Sequence, residues 1–222
     1  MKRISKDIIF DMDGVIFDTE NLFLDCWRQL ATVHGLADID TVYHRVIGLK
    51  ADDTRQIYLD AYGPDFDYEQ LNQKASALFY EKAAAGMPMK PGVRELLESL
   101  KSWGYCIGLA SSTRSQLVLS QLGGCDLLKY FTVIIGGDMV EQGKPAPDIY
   151  LMACARLGAN PGETYAVEDS YNGVRAAHAA GMQVIMVPDI VLPDAKMRSI
   201  STHIFPDLLA VRAYLAKEGE IH

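Results

Sequence analysis

Asp11 and Asp13 close the apolar run Ile8-Ile9-Phe10, with Gly14 directly behind them. A short apolar run stopped by a turn residue predicts a buried strand of a parallel sheet. Along an extended strand, residues two apart point the same way, so both carboxylates leave its C-terminal end together. Open α/β sheets place their ligands at that end. Two carboxylates about 4 Å apart repel by about 4 kcal/mol at an effective dielectric near 20. A cation between them, or a proton on one, relieves that repulsion. A second acidic pair, Glu168-Asp169, ends the apolar run Tyr165-Ala166-Val167. Ser111 follows Leu109-Ala110, and Lys144 sits in the proline-restricted stretch Gly143-Lys144-Pro145-Ala146-Pro147. Taken alone, Ser111 is either a helix cap or an anion ligand at a helix N-terminus. Lys144 is either a solvated loop residue or a charge held in place by its prolines.

The elements that must position these residues are legible from periodicity. Further strands are predicted at 105–110, 131–135, 164–167, 184–187 and 202–205. Helices are predicted between them, including the Val93, Leu96, Leu97 and Leu100 stripe closed by Gly104, and the alanine-rich segment 174–180. Strands alternating with helices predict a doubly wound, Rossmann-like parallel sheet, an α/β fold. Residues from about 15 to 86 read as helical throughout, and Pro88, Pro91 and Gly92 mark the return to the sheet. The expected division is therefore an α/β core of residues 1–14 and 87–222 with an inserted all-helical cap at 15–86. Each acidic or polar cluster follows a predicted strand or lies in the loop beyond it, which gathers them along one edge.

Hydrophobic residues make up 49% of the 222 and charged ones 23%, enough apolar content to bury a core. The net charge of −8 argues against nucleic acid or a membrane surface as main partner, while leaving room for a small anion in a locally cationic pocket. The four cysteines and five histidines show no metal-ligand spacing, and the cysteines read as reduced core thiols of a cytoplasmic protein. No segment is expected to span a bilayer, and Asp7, Asp11 and Asp13 interrupt any secretory apolar region near the start.

Asp11-Met12-Asp13-Gly14-Val15 resembles the D-x-D-G first motif of the haloacid dehalogenase-like superfamily. Ser111, Lys144 and Glu168-Asp169, the last followed by Gly173 to Gly181, are similar to its second, third and fourth motifs, in order. The resemblance implies that Asp11 is a nucleophile taking up a phosphoryl group and Asp13 the general acid and base. It implies that Ser111, with Ser112 a weaker partner, binds phosphoryl oxygens, that Lys144 offsets their charge, and that Thr113 and Arg114 could assist. It also implies Mg²⁺, held by Asp11, the Asp13 backbone carbonyl and Asp169, with Glu168 either a ligand or an acceptor behind the ligands; such oxygen-only sets suit this ion. Within the superfamily, Asp13 separates the chain from the dehalogenases. The helical insertion and Val15 to Glu20 resemble the branch holding β-phosphoglucomutase and small sugar-phosphate phosphatases. Phe23 and Ala51 align where the mutase carries a histidine and an arginine, which favours hydrolysis, and Lys50 is a basic residue placed to meet the far end of a substrate. The expectation is a cytoplasmic, Mg²⁺-dependent phosphatase of small phosphorylated metabolites, sugar phosphates foremost, acting as a monomer or weak dimer without nucleic-acid or membrane partners. The alternatives are a phosphomutase of the same branch and a non-catalytic binding protein on the same fold.

Overall fold

The computed structural model describes residues 7–47, 49 and 51–220, with the side chains of 218–220 excepted. Six strands form one parallel sheet: β1 (Asp7–Phe10), β2 (Cys106–Ala110), β3 (Val133–Ile135), β4 (Tyr165–Glu168), β5 (Gln183–Met186) and β6 (His203–Ile204). Their order is β3-β2-β1-β4-β5-β6, so β1 lies inside the sheet between β2 and β4. Ile8, Ile9 and Phe10 are all fully buried, as expected of a strand covered on both faces. The chain winds outward from β1 to β3, then crosses back to β4 on the other side. That reversal opens a crevice at the C-terminal ends of β1 and β4. The α/β, doubly wound reading of the sequence matches this sheet.

Helices α5 (Val93–Ser102), α6 (Ser115–Gly124), α7 (Asp148–Leu157), α8 (Tyr171–Ala179), α9 (Ala195–Ile200) and α10 (Leu208–Glu220) accompany the strands. Ile9, Ala110, Ile135, Ala166 and Val184 form one core with residues of α7, α8 and Met197 of α9. In α5 the buried positions Val93, Leu96, Leu97 and Leu100 recur at i, i+3, i+4 and i+7, the stripe of a helix buried on one side. α5 packs on β2 and against α10.

Four helices, α1 (Thr19–His34), α2 (Ile39–Val46), α3 (Ala51–Tyr62) and α4 (Tyr68–Ala85), occupy the stretch between β1 and α5. The chain divides into two compact units, Met1–Phe17 with Met89–His222, and Asp18–Pro88. Val15, Ile16 and Phe17 go with the sheet because they are buried and bonded there: Gly14 N–H donates to the Phe17 carbonyl at 2.8 Å, and Lys90 N–H to the Ile16 carbonyl at 2.9 Å. The helical unit has its own core around Trp27, which stacks on Tyr58 and Tyr68 with ring centroids 4.6 and 6.2 Å away.

Two local expectations change. Cys26 and Cys154 are buried, but Cys106 is exposed at the start of β2 and Cys125 half-buried, so only two of the four thiols are core residues. Residues 131 and 132 precede β3 instead of belonging to it. No helix among the described residues is long and apolar enough to cross a membrane.

Candidate active site

β1 delivers Asp11 to the crevice, with its N–H bonded to the Val167 carbonyl of β4 at 2.9 Å. Lys144 reaches it from the loop before α7: its Nζ donates to Asp11 Oδ1 at 2.6 Å, to Glu168 Oε1 at 2.7 Å and to the Ala110 carbonyl at 3.0 Å. All three ammonium protons are thus committed, and only 6% of the side chain is exposed. The Tyr150 hydroxyl, carried by α7, donates to the same Glu168 Oε1 at 2.7 Å, and the Lys144 ammonium lies 5.0 Å from the Tyr150 ring centroid. Glu168 Oε2 accepts from Asp169 N–H, Ser170 N–H and the Ser170 hydroxyl at 3.2, 3.3 and 3.1 Å. Both oxygens of the fully buried Glu168 are therefore taken up in holding Lys144 and the turn after β4.

Asp13 turns toward the end of β2. Its Oδ2 accepts from the Thr113 hydroxyl at 2.9 Å and from the Ser111 hydroxyl at 3.4 Å. Ser111 is fully buried, and its Oγ in turn accepts from Thr113 N–H at 3.0 Å. It does not cap α6, which starts at Ser115 with that residue's N–H bound by the Asp138 carboxylate at 2.7 Å. Ser112 is exposed and takes no part in these hydrogen bonds. Asp169 lies over the backbone of Gly14: a Cβ there would come within 2.1 Å of Asp169 Oδ2, and Gly14 has φ +79°, so only glycine serves at this turn. Gly173 has the same function for Glu168, whose carboxylate would sit 1.8 Å from an added Cβ.

Asp11, Asp13, Ser111, Lys144, Glu168 and Asp169 are thus brought to one place, whereas Lys50 lies outside the described residues. Tyr150 and the Ala110 carbonyl were not foreseen. Neither has a signal near Lys144 in sequence, since Tyr150 acts through the packing of α7 on the sheet. Ser170 did carry one, because it caps α8 by accepting from Gly173 N–H at 3.1 Å.

The cluster holds more acid than its one ammonium can balance. Burial pushes the Asp11 carboxyl up to about 7 against the pull of Lys144, with Glu168 and Asp13 adding to the rise. Burial also raises Asp13, opposed by the Thr113 hydrogen bond. Asp169 is raised well above the usual carboxylate range by burial and then by the charges of Glu168, Asp11 and Asp189. For Lys144, burial works against the charge, but Asp11 and Glu168 outweigh it and hold the ammonium protonated. Carboxylate oxygens of Asp11, Glu168 and Asp169 lie within 4.8 Å of one another, and Asp169 Oδ1 is buried without a hydrogen-bond partner among the described residues. An orphaned, solvent-excluded carboxylate oxygen in an all-oxygen cluster fits a hard divalent cation such as Mg²⁺. With Glu168 fully hydrogen-bonded, Asp11 and Asp169 are the side chains left to ligate it.

A doubly wound sheet that gathers an acidic, lysine-braced cluster at its switch point defines a Rossmann-like α/β enzyme. The haloacid dehalogenase-like hydrolase family profile matches residues 8–187, and the chain belongs to that family. It is 35% identical to a phosphorylated carbohydrates phosphatase of Thermotoga maritima over 80% of this chain and 82% of that protein. It is 32% identical to a fructose-1-phosphate phosphatase of Escherichia coli over 81% of this chain and 95% of that one. Among solved structures, a β-phosphoglucomutase-like protein of Thermotoga maritima is 31% identical with a TM-score of 0.78, covering 95% of this chain and 98% of its own.

Proposed function

We propose that the chain is a Mg²⁺-dependent phosphatase of small phosphorylated metabolites, sugar phosphates foremost, that works through an aspartyl-phosphate on Asp11. The observation that carries this reading is the pairing of a buried, lysine-held Asp11 with Asp13 two residues further on, beside the orphaned Asp169 oxygen. In the first step an Asp11 carboxylate oxygen attacks phosphorus and the bond to the substrate oxygen breaks. Asp13 gives its proton to that leaving oxygen, a task suited to a carboxyl whose pKa burial has raised. Asp13 then takes a proton from water, which attacks phosphorus and releases Asp11 and inorganic phosphate. Lys144 and the Ser111 hydroxyl compensate the charge on the phosphoryl oxygens, with Thr113 keeping Asp13 in line. Mg²⁺, when held by Asp11, Asp169 and the Asp13 carbonyl, supplies charge neutralisation for a phosphate dianion entering a cluster of acids. Ser112, exposed next to Ser111 in the chain, is the weaker candidate for the phosphoryl oxygens. The helical stretch Asp18–Pro88 serves as the substrate-selecting cap, with Lys50 a candidate for the substrate's distal end, and the catalytic unit is the sheet unit of Met1–Phe17 and Met89–His222. The protein works in the cytoplasm, as a monomer or weak dimer, with no nucleic-acid or membrane partner.

The likeness to the β-phosphoglucomutase-like protein favours a phosphomutase as second reading. Phosphate release is measured from a panel of sugar phosphates and nucleotides, with Mg²⁺ and with excess chelator. Turnover is expected only with Mg²⁺, lost in Asp11→Asn and strongly weakened in Asp169→Asn. Full turnover in chelator, or near-normal turnover by Asp11→Asn, sinks the reading.

A further inference from the structure

Asp189 lies three residues beyond Met186, the residue of β5 paired with Glu168 of β4. It therefore occupies the same end of the sheet as the acidic pair, on the neighbouring parallel strand. Its side chain is only 9% exposed, and Lys90 Nζ donates to its Oδ1 at 2.6 Å. The other oxygen, Oδ2, is buried and has no hydrogen-bond partner among the described residues. Lys90 fixes one oxygen and thereby orients the second. The proposed catalytic steps make no use of either residue. A buried carboxylate oxygen without a donor costs about 1–3 kcal/mol or more, so its retention points to a donor that arrives with a ligand.

Two orphaned oxygens thus stand at adjacent strand ends, Asp169 Oδ1 and Asp189 Oδ2. Asp189 is not among the acids whose oxygens converge within 4.8 Å, so it stands outside the direct ligand set. Val187 N–H donates to the Glu168 carbonyl at 2.7 Å, which holds the two strand ends side by side. Mg²⁺ binds few protein groups and keeps several waters, each a strong donor needing an acceptor. We propose that Asp189 is a positioning residue for the cation: held by Lys90, its Oδ2 accepts a hydrogen bond from a water of the Mg²⁺ hydration shell. This rests on the metal reading of the site given above.

The test titrates Mg²⁺ alone into the full-length wild-type chain and into Asp189→Ala, Asp189→Asn and Asp169→Asn, by calorimetry and by the Mg²⁺-induced rise in Tm. Asp189→Ala is expected to bind Mg²⁺ about 10–100-fold more weakly, as for other partners behind the ligands. Asp189→Asn, which keeps a neutral acceptor, falls between Ala and wild type. The metal-free Tm reports folding separately; a purely structural role moves that value and leaves the Mg²⁺ affinity alone. Wild-type affinity in Asp189→Ala overturns the proposal, and if that variant does not fold, wild-type affinity in Asp189→Asn does so. If wild type binds no Mg²⁺, or binds it no better than Asp169→Asn, the metal reading itself fails and takes this proposal with it.

Discussion

Lys144 is the residue on which the others close. It is buried between Asp11 and Glu168, and a buried pair that loses one partner costs about 3–5 kcal/mol, because the remaining charge has no compensation. Lys144→Met is expected to lose about that much stability in chemical unfolding with chelator present, along with its activity. A variant as stable as wild type contradicts the picture of Lys144 as the brace of the acids. Tyr150→Phe removes one hydrogen bond to a charged acceptor that still has its lysine, so its cost is smaller, about 1–3 kcal/mol. Gly173→Ala places a Cβ on the Glu168 carboxylate, which has no free space to move into. That variant is expected to lose activity even with saturating Mg²⁺, and an unchanged kcat rules the crowding argument out.

At the scale of elements, periodicity reveals what is buried on a regular face and little else. β1 was legible because Ile8, Ile9 and Phe10 are apolar on both faces, and α5 because four apolar residues fall on one stripe. α9 was not, since it spans six residues with a single buried side chain, Met197, and only its Asp194 cap signals it. Asp11, Asp13 and Glu168-Asp169 could be read as a site because each ends an apolar run. The deployment of Glu168 could not, because Tyr150 and Lys144 reach it only once α7 packs against the sheet. The helical unit offers a sharper test of packing. Trp27 is fully buried and stacked, so Trp27→Ala is expected to cost about 3–5 kcal/mol of unfolding free energy. Its neighbour Tyr58 buries a hydroxyl that has no partner among the described residues. Tyr58→Phe keeps the ring and drops the orphan, so it is expected to leave stability unchanged or raise it by about 1–3 kcal/mol. A loss in Tyr58→Phe comparable to that of Trp27→Ala shows that the hydroxyl is satisfied after all.

At the scale of the whole molecule, the question is which second substrate the aspartyl-phosphate meets, water or a sugar hydroxyl. A phosphomutase must retain a bisphosphorylated intermediate while it turns over, and so needs a cationic hold on the phosphate that is not reacting. The net charge of −8 gives no general attraction for such an intermediate, so the hold has to come from particular side chains. Phe23 lies in the aromatic packing of the helical unit, with ring centroids 6.2 Å from Tyr43 and 5.8 Å from Phe79. Ala51 opens α3 and is exposed. Neither can bind an anion, so Lys50, proposed above for the substrate's distal end, is left to replace part of that hold. A charge-assisted hydrogen bond to phosphate is worth about 1.5–3 kcal/mol, so each missing partner shortens retention by about one to two orders of magnitude. Water then reaches the aspartyl-phosphate before a returning hydroxyl does. With β-glucose 1-phosphate, Mg²⁺ and a trace of the 1,6-bisphosphate, release of inorganic phosphate is expected to outpace formation of glucose 6-phosphate. Both products are followed in one time course, and isomerisation running ahead of phosphate release assigns the chain to the mutases instead.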